Sequence, residues 1–328
     1  MKRFLLFLLI AVMLAPSLMA RGNADAGTYQ LRTSTNLVPT GTVGMALTRF
    51  VELVNQRSGG RIRAVANYGN ELGSQAEQVQ MTRAGALEMV VASPGSGLGT
   101  WIPQLACFEL PFIYTDIHHN RRVLKGMEEE VSRLVQPLGF IARSGQSQGA
   151  RHILTMTPVH SLADMRGLRM RGPNATYVAM FEALGAAGTT TDWNEVYTAL
   201  QSRVIDGMEA SPSMINSMRF QDIARNMTIT NHVIAQVFYF FNADWLNSLP
   251  ADLRQIVLQA ADDAAVYQAE IDDVDQEVAL QEMIAAGVNV IQPTDINAWI
   301  SATAPMVDQF RARGPEWADF INRIMAIR

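Results

Sequence analysis

The sequence predicts an α/β protein of two lobes, on three observations. Short strands alternate with helices along nearly the whole chain, the pattern of helices layered on a sheet. The segment "ALEMVVAS" (86–93) is apolar at nearly every position, as in a parallel-sheet strand covered on both faces. Between Pro250 and Gly287 nothing breaks a helical stretch of nearly forty residues, longer than one α/β domain needs, so this rod is expected to lie across two.

The elements follow in order. Lys2 and Arg3 precede an apolar run from Phe4 to Ala15, then Pro16 and small residues. That is a secretory leader, with cleavage after Ala26 favoured by the small residues Ala24 and Ala26, and Ala20 as the alternative. "YQLRTST" (29–35) reads as a strand. A helix follows in "VGMALTRFVELVNQ", with Met45, Phe50, Leu53 and Val54 as its apolar stripe. Ser58-Gly59-Gly60 ends it, and "RIRAVA" is the next strand. "SQAEQVQMTRAG" forms a short helix closed by Gly85. A helix over 116–135 and the strand "FIARSG" complete a first block ending near Gly149. "RHILTM", "GLRMR", helices over 175–184 and 192–201, and the strand "VIDGMEAS" form a second. "VIAQVFYFF" (233–241) is strand-length and marks a return crossing. A long helix interrupted near Asp272-Asp273, folding into two antiparallel halves, is the alternative to the rod.

Composition narrows the function. A net charge of −5 over 328 residues argues against nucleic acid as a partner. The single cysteine, Cys107, cannot form an internal disulfide and lies in the apolar stretch "LACFELPFIY", where it reads as a buried small hydrophobe. "GQSQG" (145–149) matches a nucleophile-elbow pattern around Ser147, the one route to a hydrolase. The elbow needs a helix next, and "ARHILTM" reads as strand. His118 and His119 diverge on a helix, and His152, His160 and His232 are isolated, so no metal site is expected. Asp272, Asp273 and Asp275 read as a solvated helix face. "GSGLG" (95–99) lacks the spacing of a phosphate or dinucleotide loop. No cofactor is expected.

Binding has better candidates. In "GLRMRGPN" (167–174), Arg169 and Arg171 lie two apart on a strand that ends at a Gly-Pro turn, where a guanidinium can offer a planar fork to a carboxylate. Arg151 stands where one block hands over to the next. In "TDWNEVYTALQSR", Asp192 and Glu195 have capping-box spacing, which puts Trp193 in the first helical turn as a wall.

The succession "ELGSQAEQVQMTRAGALEM", "LPFIY", "SLADMRGLRMRGPN", "ALGAAGTTTDWNEVYTALQSRVIDGMEASP" and "SLPADLRQIV" resembles the DctP family, the periplasmic solute-binding subunits of TRAP transporters. The resemblance implies a two-lobe periplasmic binding protein fold, type II-like, with a long helix spanning both lobes and closure around a small organic acid. It implies Arg171 as the carboxylate clamp, Arg151 as a second basic position and Asn174 as a polar neighbour. Trp193 would lie against the ligand, with Gln236 on a cleft strand and Glu77 at the ligand's far end. Glu209 and Ser211 complete the implied set. Ala210 replaces the Asn or Trp that relatives often carry after that glutamate, a departure from the sugar-acid and 2-oxo-acid patterns. Arg169 is expected to face solvent. The implied division is a leader at 1–26, one lobe of 27–149 with 234–275, and a second of 150–233 with 276–328. TRAP permease subunits are the implied membrane partner of a periplasmic monomer. Dicarboxylate, sugar acid and aromatic acid all stay open as ligands.

Overall fold

The computed structural model describes residues 28–327; the expected leader lies outside them. Strands β1 (Tyr29–Thr35), β2 (Ile62–Asn67) and β3 (Met89–Ala92) alternate with helices α1 (Thr42–Arg57) and α2 (Gln75–Arg83). The short α3 (Pro94–Leu98), a turn helix over Pro103–Glu109, and α4 (Ile117–Val135) lead to β4 (Phe140–Thr155). Then come β5 (Arg169–Gly172), α5 (Ala175–Ala183), β6 (Ala187–Thr190), α6 (Val196–Gln201), β7 (Gly207–Ala210) and α7 (Pro212–Ser217). The chain finishes with β8 (Asn226–Asn242), α8 (Ala243–Ser248), α9 (Ala251–Ala285), β9 (Asn289–Ile291), α10 (Ile296–Arg311) and α11 (Pro315–Ala326).

The strands form one nine-stranded sheet, ordered β2-β1-β3-β8-β4-β7-β5-β6, with β9 beside β8. Its two halves share the long central pair β4 and β8, which run antiparallel. At one end β1 pairs parallel with β2 and β3, and β3 meets β8 near Tyr239. At the other, β7 joins β4 at residues 152–155, and β5 and β6 continue in parallel. The two crossings between halves are therefore continuous strands of 16 and 17 residues. "FIARSG" and "RHILTM" belong to one strand. The glycine-rich "GQSQG" between them supplies register shifts at 143/146 and 147/150 rather than a break. Gly149 there has φ +80°, a conformation that favours glycine.

Helix α9 is uninterrupted over 35 residues, about 52 Å at ~1.5 Å per residue. Its first half, with Leu253, Val257, Ala260 and Ala264, packs with α1 on β1, β3 and β8. Its far end contributes Met283 to the core around α6, α7 and β7. One helix thus joins the cores of both halves. The C-terminal helices share the third core with α4 and α5, and His119 Nε2 lies 3.0 Å from the Ile324 carbonyl oxygen.

Three local expectations are corrected. Met45 is exposed, and the buried stripe of α1 runs through Val43, Leu47, Phe50, Leu53 and Val54. Asp272 is fully buried, not part of a solvated face. Its Oδ1 accepts from Thr42 Oγ1 at 3.2 Å and from Gln276 Nε2 at 3.1 Å. Its neighbours are engaged as well, Asp273 with Arg121 at 2.7 Å and Asp275 with the Ser213 hydroxyl. Asp192 makes no side-chain cap; the turn helix of residues 193–195 starts without one.

Candidate ligand-binding site

In open α/β sheets the carboxyl ends of parallel strands leave a crevice for ligands. Here a cavity of about 190 Å3 lies at such ends from both halves. Asn36 follows β1, while Ser93 and Ser96 follow β3. Arg171 and Pro173 come from the end of β5, and Asp192 and Trp193 from beyond β6. The remaining wall includes Glu109, Gln148, Arg151, Tyr177 and Gln236.

Arg171 is the central feature. It is 3% exposed, its Nε–H donates to the Thr191 carbonyl at 2.9 Å, and its guanidinium carbon lies 5.6 Å from the Trp193 ring centroid. Among the described residues no carboxylate forms an ion pair with it. Burial pulls its pKa down to about 10, with Arg151 adding to that and Glu209 opposing it. Trp193 is both wall and core, since its ring also meets Phe220 edge-on at 5.0 Å.

Arg151 is equally buried but already partnered. Its Nη2 donates to Glu209 Oε1 at 2.7 Å and to the Glu209 carbonyl at 2.8 Å, and its Nε donates to Glu209 Oε2. Burial alone would lower its pKa; the Glu209 charge more than offsets that, and the net shift is upward. Burial would likewise raise the Glu209 pKa, but Arg151 holds the carboxyl below its ordinary range. The pair is a neutral unit that walls the cavity beside Tyr177, whose ring centroid is 5.7 Å from the Arg151 guanidinium carbon.

The cavity therefore brings together Arg171, Arg151, Trp193 and Gln236. Gln236 is held by donating to the Phe108 carbonyl at 3.2 Å and accepting from Asn120 Nδ2 at 3.2 Å. Four other sequence-predicted residues stand outside the lining. Glu77 is exposed and serves the capping box of α2, accepting from the Ser74 N–H at 2.7 Å. Glu209 stands behind Arg151. Asn174 caps α5 through Oδ1 and gives Nδ2 to Ser96 and Glu109. Ser211 is buried where α7 begins. Arg169 is half-exposed and pairs with Asp206 at 2.7 Å. Glu109 is the residue that spacing did not point to. Its signal was a lone carboxylate inside the apolar run "LACFELPFIY".

Residues 33–313 match the family described as bacterial extracellular solute-binding protein, family 7 (DctP). The chain belongs to the DctP family. A solute-binding protein from Verminephrobacter eiseniae is 30% identical over 270 residues, 81% of this chain and 80% of that one. The crystal structure of a TRAP periplasmic solute-binding protein from Chromohalobacter salexigens, with bound D-glucuronate, superposes with a TM-score of 0.87. It is 27% identical and covers 91% of this chain and 100% of that one. A homologous structure from Xanthobacter autotrophicus with bound β-D-galacturonate gives 0.85 at 26% identity, with the same coverage. DctP proteins and these relatives are solute receptors, not enzymes, and Ser147 fits that picture. Buried in mid-β4, it lies outside the cavity lining, and its hydroxyl accepts from the Gly149 N–H at 3.4 Å. Cys107 is likewise inert, buried with its thiol pushed up to about 12.

Proposed function

We propose that this DctP protein is the periplasmic receptor of a TRAP-type transporter, exported by its leader. It captures a small organic acid by pairing the ligand's carboxylate with Arg171 while two lobes close over it. The observation that carries the reading is Arg171 itself, buried on the cavity wall with no carboxylate partner among the described residues. A desolvated guanidinium is stable only when paired and hydrogen-bonded, and a planar carboxylate matches its remaining N–H groups. The rest of the lining is rich in amides and hydroxyls, which suits a hydroxylated acid such as the hexuronates bound to the relatives from Chromohalobacter and Xanthobacter. Ala210 is fully buried outside the lining and offers such a ligand no hydrogen bonds, so the amides and hydroxyls of the lining would have to supply them.

The lining draws on both halves of the sheet, which supports closure. A ligand that touches both favours the closed arrangement, and permease subunits in the membrane would read that arrangement rather than the free acid. The division into 27–149 with 234–275 and 150–233 with 276–328 is the one proposed here. The long strands cross it near Gly149 and Val233, while α11 packs back toward α4 through His119 and Ile324.

A thermal-shift screen tests the reading with hexuronates, C4-dicarboxylates and aromatic acids, each beside its neutral methyl ester. A bound acid at about one hundred times its Kd stabilises the fold by ~2.7 kcal/mol. The expected outcome is stabilisation by one acid class and none by its ester. No response to any acid, or an equal response to the ester, contradicts it.

A further inference from the structure

The cavity wall holds another buried charge, and the carboxylate clamp does not use it. Glu109 ends the turn helix Pro103–Glu109, is 3% exposed, and lines the same cavity as Arg171. Its Oε1 accepts from the Ser96 N–H at 3.0 Å and from the Ser96 hydroxyl at 3.2 Å; its Oε2 accepts from Asn174 Nδ2 at 2.5 Å. The seat is fitted closely: a Cβ on Gly95 would collide with the carboxylate. A carboxylate offers about four acceptor positions, so these three bonds leave one free, on Oε2. The Asn174 amide has none to spare. Its Nδ2 donates to Ser96 and Glu109, and its Oδ1 accepts from the Thr176 and Tyr177 N–H groups.

We infer that Glu109 sets the charge selectivity of the cavity: it accepts a hydroxyl of a polyhydroxylated monocarboxylate held by Arg171 and refuses a ligand carrying a second carboxylate. The inference rests on the Arg171 reading above. The distribution of charge argues for it. Arg151 is committed to Glu209 through both carboxylate oxygens, which leaves Arg171 to serve one ligand carboxylate. A second carboxylate would find no free cation on the wall and would face Glu109, with Asp192 also on the lining. A ligand hydroxyl instead fills the free acceptor position. Burial pushes the Glu109 carboxyl up to about 7, opposed by its bonds from Asn174 and Ser96 and by the nearby Arg151 charge. As pH falls through that value the residue takes up a proton and the refusal weakens. Of the groups around it, Arg151 stays charged, while Tyr114, Tyr177 and the Cys107 thiol stay neutral through this range.

The test compares D-gluconate with D-glucarate, the same carbon chain ending in one or two carboxylates, by titration calorimetry at about pH 8.5, where Glu109 is ionised, on wild type, Glu109→Gln and Arg171→Ala. Wild type is expected to favour gluconate by roughly 100-fold or more, and Glu109→Gln to shrink that preference below about tenfold with Arg171 still required. Equal affinities in wild type, or an unchanged preference in Glu109→Gln, overturn the role of Glu109 and leave the clamp standing. Binding indifferent to Arg171→Ala overturns the clamp, and this inference with it. Failure of wild type to bind gluconate also overturns the inference, while the acid screen judges the clamp independently. Should Glu109→Gln not fold, the wild-type preference is followed from about pH 8.5 to about pH 5.5. It must narrow as pH falls through about 7; a constant preference overturns the assignment.

Discussion

Arg151 and Arg171 are chemically alike and wall one cavity, yet their neighbours give them different roles. Arg151 meets Glu209, 58 residues further along, because β7 pairs beside β4 and sets Glu209 opposite Ile153. Spacing alone does not reveal such a partner, so the sequence marked both arginines as basic positions without showing which was already neutralised. Arg171 was more legible, since a strand ending at a Gly-Pro turn delivers its last side chains to a crevice. Glu109 was hidden by its apolar surroundings, where one carboxylate among large hydrophobes does not alter a strand or helix pattern. The Arg151–Glu209 pair makes a specific prediction. Replacing Glu209 by Gln strands a buried guanidinium, and breaking a buried pair in this way costs about 3–5 kcal/mol. Urea unfolding should show a loss of that order, and a change within about 0.5 kcal/mol would contradict the arrangement.

At the scale of elements, helix α9 was the most legible feature, because Pro250 and Gly287 bracket it and nothing breaks it between. The identity of its buried face was not. The helix leaves one core and enters another, so its middle covers the bulged part of β4 with polar groups, and Gln268 donates to the Ser147 carbonyl at 2.7 Å. Asp272 sits in this seam, and a count of charged residues reads it as surface. The same seam explains why "GQSQG" suggested an ending, since the glycine needed for a bulge looks like one needed for a turn. Burial pushes the Asp272 carboxyl up to about 6, against its bonds from Gln276 and Thr42 and the Arg121 charge. The folded protein therefore binds this proton more tightly than the unfolded chain. The Asp272 contribution to stability falls as pH rises from about 4 through about 6 and then levels off, while His152, whose burial lowers its pKa to about 3, contributes in the opposite sense. The whole fall amounts to at most about 3 kcal/mol. Asp272→Asn should raise the melting temperature at about pH 8 and change it little at about pH 3.5, below the unfolded carboxyl's value. A variant less stable than wild type at the higher pH would show instead that the contact with Arg121 dominates.

At the scale of the molecule, two sheet halves share a pair of long strands and are bridged by one helix, with the cavity where the parallel strands of both halves end. Alternating strands and helices, an all-apolar strand and the unbroken rod were enough to read the α/β class and its bridging helix from sequence. The single continuous sheet was not readable, because antiparallel crossing strands with bulges look locally like separate short strands. The proposed function depends, at this scale, on one uncompensated charge. In a closed, dehydrated cavity, loss of the cation leaves the ligand carboxylate buried and unpaired, a cost of roughly 3–5 kcal/mol or two to four decades in affinity. In an open, solvated groove the same pair contributes only ~0–1 kcal/mol. The deciding measurement is the Kd of Arg171→Ala beside wild type for the acid that stabilises wild type most strongly, with folding of both checked by circular dichroism. A hundredfold or greater weakening is the predicted result; an affinity within about tenfold of wild type would contradict Arg171 as the ligand's counter-ion.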